Sequence, residues 1–123
     1  MDRQTFENTL SHFRGSETFT RHGLRRDILM TEGVTWLTQN GCAWLVDAVA
    51  SCQTKPHIRA EPFQHWQLHV DLATKTCVLT MDDGNGRELV KQLILYTDCL
   101  VPKLRLYLVE QGAEQVCMLT QEY

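Results

Sequence analysis

Nowhere does the sequence hold an apolar run long enough to cross a bilayer. The longest, from Gly41 to Val46, ends at Asp47, far short of the roughly 20 residues that a spanning helix needs. The opening residues, Met1-Asp2-Arg3-Gln4-Thr5-Phe6-Glu7, lack the apolar stretch of a secretory leader. Cys42, Cys52, Cys77, Cys99 and Cys117 are scattered with no C-x-x-C pair, which removes the usual zinc and dithiol signatures. An odd cysteine count without a leader predicts reduced thiols and a cytoplasmic protein, each Cys acting as a small buried hydrophobe rather than a ligand or nucleophile. There is no P-loop, no G-x-G-x-x-G, no G-x-S-x-G and no H-E-x-x-H. No motif carries catalysis, and neither a cofactor nor a metal is expected.

Excess positive charge is missing too. Twelve Lys and Arg stand against 15 Asp and Glu, a net charge of -3, with an isoelectric point of about 5.9. Dedicated nucleic-acid binders have domains with isoelectric points above about 9, so nucleic acid is disfavoured as a partner. What remains is ordinary globular material: 123 residues, 43% apolar and 22% charged, enough for one core and too little for two. The whole chain, 1–123, is expected to form a single domain.

The hydrophobic periodicity changes half-way along. Phe6, Leu10 and Phe13 share a helical stripe over Arg3–Arg14, stopped by Gly15. Ser16–Gly23 reads as loop, and Leu24–Met30 as either a short strand or an extended connection. Thr31 suits an N-cap with Glu32 behind it, and Asn40-Gly41 a helix stop. Cys42–Ser51 is then apolar nearly all round, the pattern of a buried helix. After a loop over Gln53–Pro62, Trp66, Leu68, Val70 and Leu72 alternate with polar residues, as in a half-buried strand. Thr76–Met81, Leu89–Tyr96, Lys103–Val109 and Gln115–Leu119 supply further strands, with a hairpin turn at Asp82-Asp83-Gly84-Asn85-Gly86. The predicted fold is α+β, N-terminal helices packed on a C-terminal antiparallel meander of about five strands.

Asp47 is the most informative candidate, because it interrupts an apolar helix. If buried it needs a partner, and His22, Arg25 and Arg26 are the candidates for a buried polar cluster. A structural anchor is preferred over a catalytic acid or base, and it predicts that Asp47→Ala unfolds the domain while Asp47→Asn is milder. His65 and His69 lie about 13 Å apart on a strand and cannot share an ion. His69 with Asp71 shares a face but has no further ligands in view, and the Asp82–Gly86 turn does not fit a calcium loop. Trp36, Trp44 and Trp66 read as core rather than as a base-stacking platform. Arg14, Arg21, Arg25 and Arg26 form a candidate binding patch, more simply a solvated face.

Thr20-x-His22-x-Leu24-x-Arg26-x-Ile28-Leu29-x-Thr31-x-Gly33-Val34-x-Trp36-Leu37, with Ala43-Trp44-Leu45-x-Asp47-Ala48-x-Ala50-Ser51 and Phe63-x-x-Trp66-x-Leu68, resembles DUF6876, a family of small bacterial proteins of unknown function. Asp82–Gly86, Tyr96-Thr97-Asp98, Leu106-Tyr107-Leu108 and Leu119 to Glu122-Tyr123 extend the resemblance over most of the chain. Gly23 stands where the family pattern has proline, and Thr120-Gln121 where it has Pro-Ser. The resemblance implies a bacterial protein from a plasmid or phage-related region and assigns no activity. The leading reading is a non-enzymatic module that binds another macromolecule, a protein partner, as an accessory or defence-modulating protein of mobile DNA. The alternatives are a small hydrolase using Asp47, His22 and Arg26, and a weak nucleic-acid binder acting through the N-terminal basic patch. An edge strand offers a route to a homodimer.

Overall fold

The computed structural model describes all 123 residues. Helix α1 (Arg3–Ser11) starts at Asp2, whose carboxylate accepts the Thr5 N–H at 2.8 Å. It ends a turn earlier than its periodicity suggests, with Phe6 buried and Leu10 and Phe13 at the margin of the core. Thr31 caps α2 (Glu32–Leu37) as expected, its Oγ1 accepting the Val34 N–H at 3.3 Å. The stop at Asn40-Gly41 is a bend between helices. A π-helical turn over Thr38–Cys42, in which Gly41 takes φ 92°, leads into α3 (Ala43–Cys52). A side chain at that φ would be strained, which is why glycine belongs there.

Helix α3 is not buried all round. Leu45, Val46, Val49 and Ala50 face inward, whereas Ala43, Asp47 and Ser51, spaced by four, form an exposed stripe. The small size of Ala43 and Ser51 hides that stripe in a simple count of apolar residues. Within the expected loop over 53–62, Pro56 begins a one-turn helix, α4 (Pro56–Arg59). Proline suits this first position, where its missing N–H has no helical partner to lose.

Five strands lie in the C-terminal half: β3 (Phe63–Asp71), β4 (Thr76–Asp82), β5 (Glu88–Ile94), β6 (Lys103–Gln111) and β7 (Glu114–Leu119). Two short ones from the N-terminal half, β1 (Thr20–Arg21) and β2 (Ile28–Met30), complete a seven-stranded sheet in the order β1-β2-β7-β6-β3-β4-β5. The expected number of about five is thus corrected to seven, and Leu24–Met30 resolves into a turn followed by a strand. All neighbours are antiparallel except β2 and β7. After β3, β4 and β5 the chain returns to place β6 beside β3, the spatial order of a Greek key. Thr97 donates to the Lys75 carbonyl and Val70 to that of Pro102, both at 2.8 Å, tying this return to the end of the β3–β4 hairpin.

Burial alternates along β3, β4 and most of β6, so these strands have one covered face, whereas Gln115, Val116 and Cys117 of β7 are buried in succession. Trp66, Leu68, Leu79, Met81, Leu106 and Leu108 meet Val34, Leu37, Leu45, Val49 and Ile58 in one core. Each such side chain contributes about 1.5–3 kcal/mol when fully buried. No helix is long and apolar enough to cross a membrane.

Candidate functional site

The structure brings His22 and Asp47 together. His22 follows β1 with its ring buried, and Nε2 lies 2.7 Å from Asp47 Oδ1 on the exposed stripe of α3. On the other side of the ring, Nδ1 accepts the backbone N–H groups of Leu24 at 3.2 Å and Arg25 at 3.0 Å. This pattern sets the tautomer: Nε2 carries the proton and donates it to Asp47. Neither ring nitrogen is left for a substrate. His22 is the buried member of the pair, and Asp47 is not the buried anion that its apolar neighbours suggest, since its side chain is 57% exposed. Water can therefore replace the carboxylate. Asp47→Ala is expected to cost about 1 kcal/mol, not to unfold the domain, and a chemical denaturation curve checks this. None of the five surface cavities is lined by His22, Arg25, Arg26 or Asp47.

The four arginines do not form one patch. Arg21 pairs with Glu114 of β7 and donates to the Arg26 carbonyl at 2.8 Å. Arg25 lies 3.5 Å from Asp27, which also draws Arg59 to 3.7 Å. Arg26 is exposed and lends the cluster only its carbonyl. Arg14 is elsewhere, lining a cavity of about 500 Å³ between α1 and the start of β6 with Lys103, Arg105 and Glu7. Two of the four, Arg21 and Arg25, are thus paired with carboxylates, and Arg14 lies apart from the other three.

A polar row crosses the open sheet face where the alternation placed only surface residues. Arg105 Nε donates to His65 Nε2 at 3.1 Å, and His65 Nδ1 lies 3.4 Å from Asp82 Oδ2. Phe63, Tyr107 and Tyr123 flank this row with ring centroids 4.8 to 5.7 Å apart. Burial, with Arg105 and Lys103 adding to it against Asp82, holds the His65 ring below its ordinary value of 6.5. The folded ring thus takes up a proton less readily than the unfolded one. Its contribution to stability is complete above about pH 6.5 and is lost as pH falls through the lower folded value. Melting temperature should accordingly fall between about pH 7.5 and about pH 5.5, with a visibly shallower slope for His65→Gln. No three His, Cys, Asp or Glu side chains converge in a metal-binding arrangement.

The open end of the sheet carries none of these residues. Strand β5 has a neighbour on one side only, so seven residues present one row of unpaired backbone groups. Beside them Leu93 is 65%, Leu95 77% and Tyr96 63% exposed, with Leu72 nearby in sequence to the β3–β4 turn and 39% exposed. The opposite edge, β1, is only two residues long. A signal exists in the sequence: Leu89, Val90, Leu93, Ile94, Leu95 and Tyr96 are more apolar residues than a strand with one covered face can bury. Lys91 is the single cation along it.

A family model described as a family of unknown function, DUF6876, matches residues 4–123. The chain belongs to this family. Searches of curated proteins and of solved structures returned no match. The matched span takes in the entire sheet, so the Greek-key return and the open β5 edge are features of a DUF6876 member. Its description carries no activity, and a functional reading of this DUF6876 chain has to rest on geometry.

Proposed function

We propose that this DUF6876 protein is a non-enzymatic interaction module, and that a protein partner docks by adding a strand along β5. The carrying observation is the open seven-residue edge with Leu93, Leu95 and Tyr96 exposed beside it. Natural sheets shorten, charge or cover such edges because they pair readily with another chain. Here β1 is short, and β5 is neither short nor covered. Strand addition draws affinity from main-chain hydrogen bonds and specificity from side chains beside the edge, both of which β5 supplies. The hydrolase reading with Asp47, His22 and Arg26 gains nothing from a ring with both nitrogens engaged and no adjoining cavity. A setting on mobile DNA, as an accessory or defence-modulating protein, belongs to the same proposal and rests on the resemblance alone.

The test compares wild type with Leu93→Lys/Leu95→Lys in capture from the native host, read by mass spectrometry. Both side chains are exposed, so the variant should melt like wild type and lose the partner. Recovery of the same proteins by both would sink the reading. Light scattering on the purified protein distinguishes one occupant: a dimer that the double variant converts to monomer identifies the partner as a second copy of the chain.

A further inference from the structure

Strand β7 stops short of its neighbour. Leu119 at its end stands opposite Leu106, so Lys103, Leu104 and Arg105, which begin β6, have no strand on that side. The cavity of about 500 Å³ occupies this gap, with Glu7, Leu10 and Ser11 of α1 and Arg14 just beyond it on the other wall. Gln121 Nε2 bridges α1 and the C-terminal turn by donating to the Leu10 carbonyl at 3.0 Å. That contact occupies an oxygen that would otherwise repel an anion.

Three cations line this space without a counter-charge. Successive side chains of a strand point to opposite faces, so Lys103 and Arg105 share one face while Leu104 between them is buried. Arg3, Arg21, Arg25, Arg59 and Arg87 each pair with a carboxylate, whereas Arg14, Lys103 and Arg105 pair with none. Arg105 uses only Nε, which donates to His65 Nε2 at 3.1 Å, and its two terminal nitrogens have no protein partner. Glu7 is the single carboxylate on the wall, and Arg3 neutralises it at 2.8 Å. The positive charge is felt beyond the cavity, since Arg105 and Lys103 both oppose protonation of His65. A cleft lined by one sign of charge concentrates ions of the other, here in a chain whose net charge is -3.

We infer that the cleft between α1 and the start of β6 binds a small molecule that carries a phosphoryl group on an apolar body. Arg14 approaches the phosphoryl oxygens from the helix side, and Lys103 and Arg105 approach them from the sheet side. A phosphate monoester has about -1.5 to -2 charge at neutral pH and three strong acceptor oxygens, which suits three cationic donors. A monocarboxylate offers one charge and two oxygens. Leu10 and the methylene stems of the cations give the apolar body a surface, and the volume lies in the ordinary range for small-molecule sites. Strands β3 and β4 separate β6 from β5, so the site stands without the edge-docking reading.

The test titrates the isotope-labelled full-length protein with phenyl phosphate and, separately, with benzoate and with inorganic phosphate, following backbone amide shifts by NMR. Phenyl phosphate should shift Leu104, Arg105 and Thr120 saturably and bind roughly tenfold more tightly than benzoate, which has the ring without the second charge. It should also bind several-fold more tightly than inorganic phosphate, which has the charge without the ring. Arg14→Gln and Lys103→Gln should each weaken phenyl phosphate by roughly tenfold, and Arg26→Gln, which removes an exposed cation elsewhere, should leave its affinity unchanged. All three residues are exposed, so the variants should melt like wild type. Shifts that never saturate would overturn the inference, as would parity of phenyl phosphate with either control, or a loss from Arg26→Gln as large as that from Arg14→Gln.

Discussion

Gln64→Leu is expected to destabilise the domain by about 4 kcal/mol although it replaces a polar residue in the core with an apolar one of similar size. Gln64 is completely buried, and its amide is the hub of a network. Its Oε1 accepts from Gln53 Nε2 at 2.9 Å and from the Trp66 indole at 3.0 Å. Its Nε2 donates to Gln53 Oε1 at 2.9 Å and to the Ile58 carbonyl at 3.0 Å. Gln115 Nε2 joins through Gln53 Oε1 at 3.1 Å. Leucine would leave the Trp66 indole N–H and one Gln53 N–H unpaired, two buried donors at about 1–3 kcal/mol each, while Gln53 Oε1 keeps Gln115 and the Ile58 carbonyl keeps the Glu61 N–H. For a domain whose total stability is about 5–15 kcal/mol, the melting temperature should fall by roughly 15 °C. Thermal denaturation followed by circular dichroism measures it. In Gln53→Leu/Gln64→Leu the two amides that faced each other are both gone, so the double variant should lose less than the sum of its singles by about 1 kcal/mol or more. Strict additivity would show that the two amides do not act as a unit.

That network also shows where the sequence is mute. Gln64 lies in phase with Trp66 and Leu68, so the alternation of β3 marks its position as buried while its chemistry marks it as exposed. Only the tertiary partners, Gln53 at the end of α3 and Gln115 in β7, reconcile the two. Period-two patterns did locate β3, β4 and β6, because each has one covered face over most of its length, and Thr31 announced α2 through a local cap. Strands β1 and β2 are too short to show any period, and the return that places β6 beside β3 leaves no local trace at all. Asp47 misleads for a different reason. Its immediate neighbours are apolar, but on a helix the relevant neighbours are four residues away, and Ala43 and Ser51 tolerate solvent. The site chemistry was half visible: His22 as the partner of Asp47 follows from their types, whereas the two backbone amides that close Nδ1 depend on the turn after β1.

Glu122→Ala should be the second severe substitution, at about 3 kcal/mol, because one carboxylate holds three segments together. The 3-10 turn over Thr120–Glu122 brings it to the start of α2. Its Oε1 accepts from Thr31 Oγ1 at 2.7 Å and from the Leu119 N–H at 2.9 Å. Its Oε2 accepts from the Gly33 N–H and from Ser16 Oγ, both at 3.2 Å. The first N–H groups of a helix have no partner inside it, and a negative charge there is favoured by the helix dipole. With only six residues, α2 has little propensity of its own to spare. The approach is close: a Cβ at 33 would fall 2.5 Å from Leu119 Cδ1 and 2.7 Å from Glu122 Oε1, so both side-chain ends would have to shift. Alanine at 122 empties this anchor, while Glu122→Gln keeps an acceptor oxygen and loses the charge, so it should cost roughly half as much. A loss of about 10 °C in melting temperature is expected for Glu122→Ala. Were it to melt within about 2 °C of wild type, α2 would have to be held by its apolar face alone.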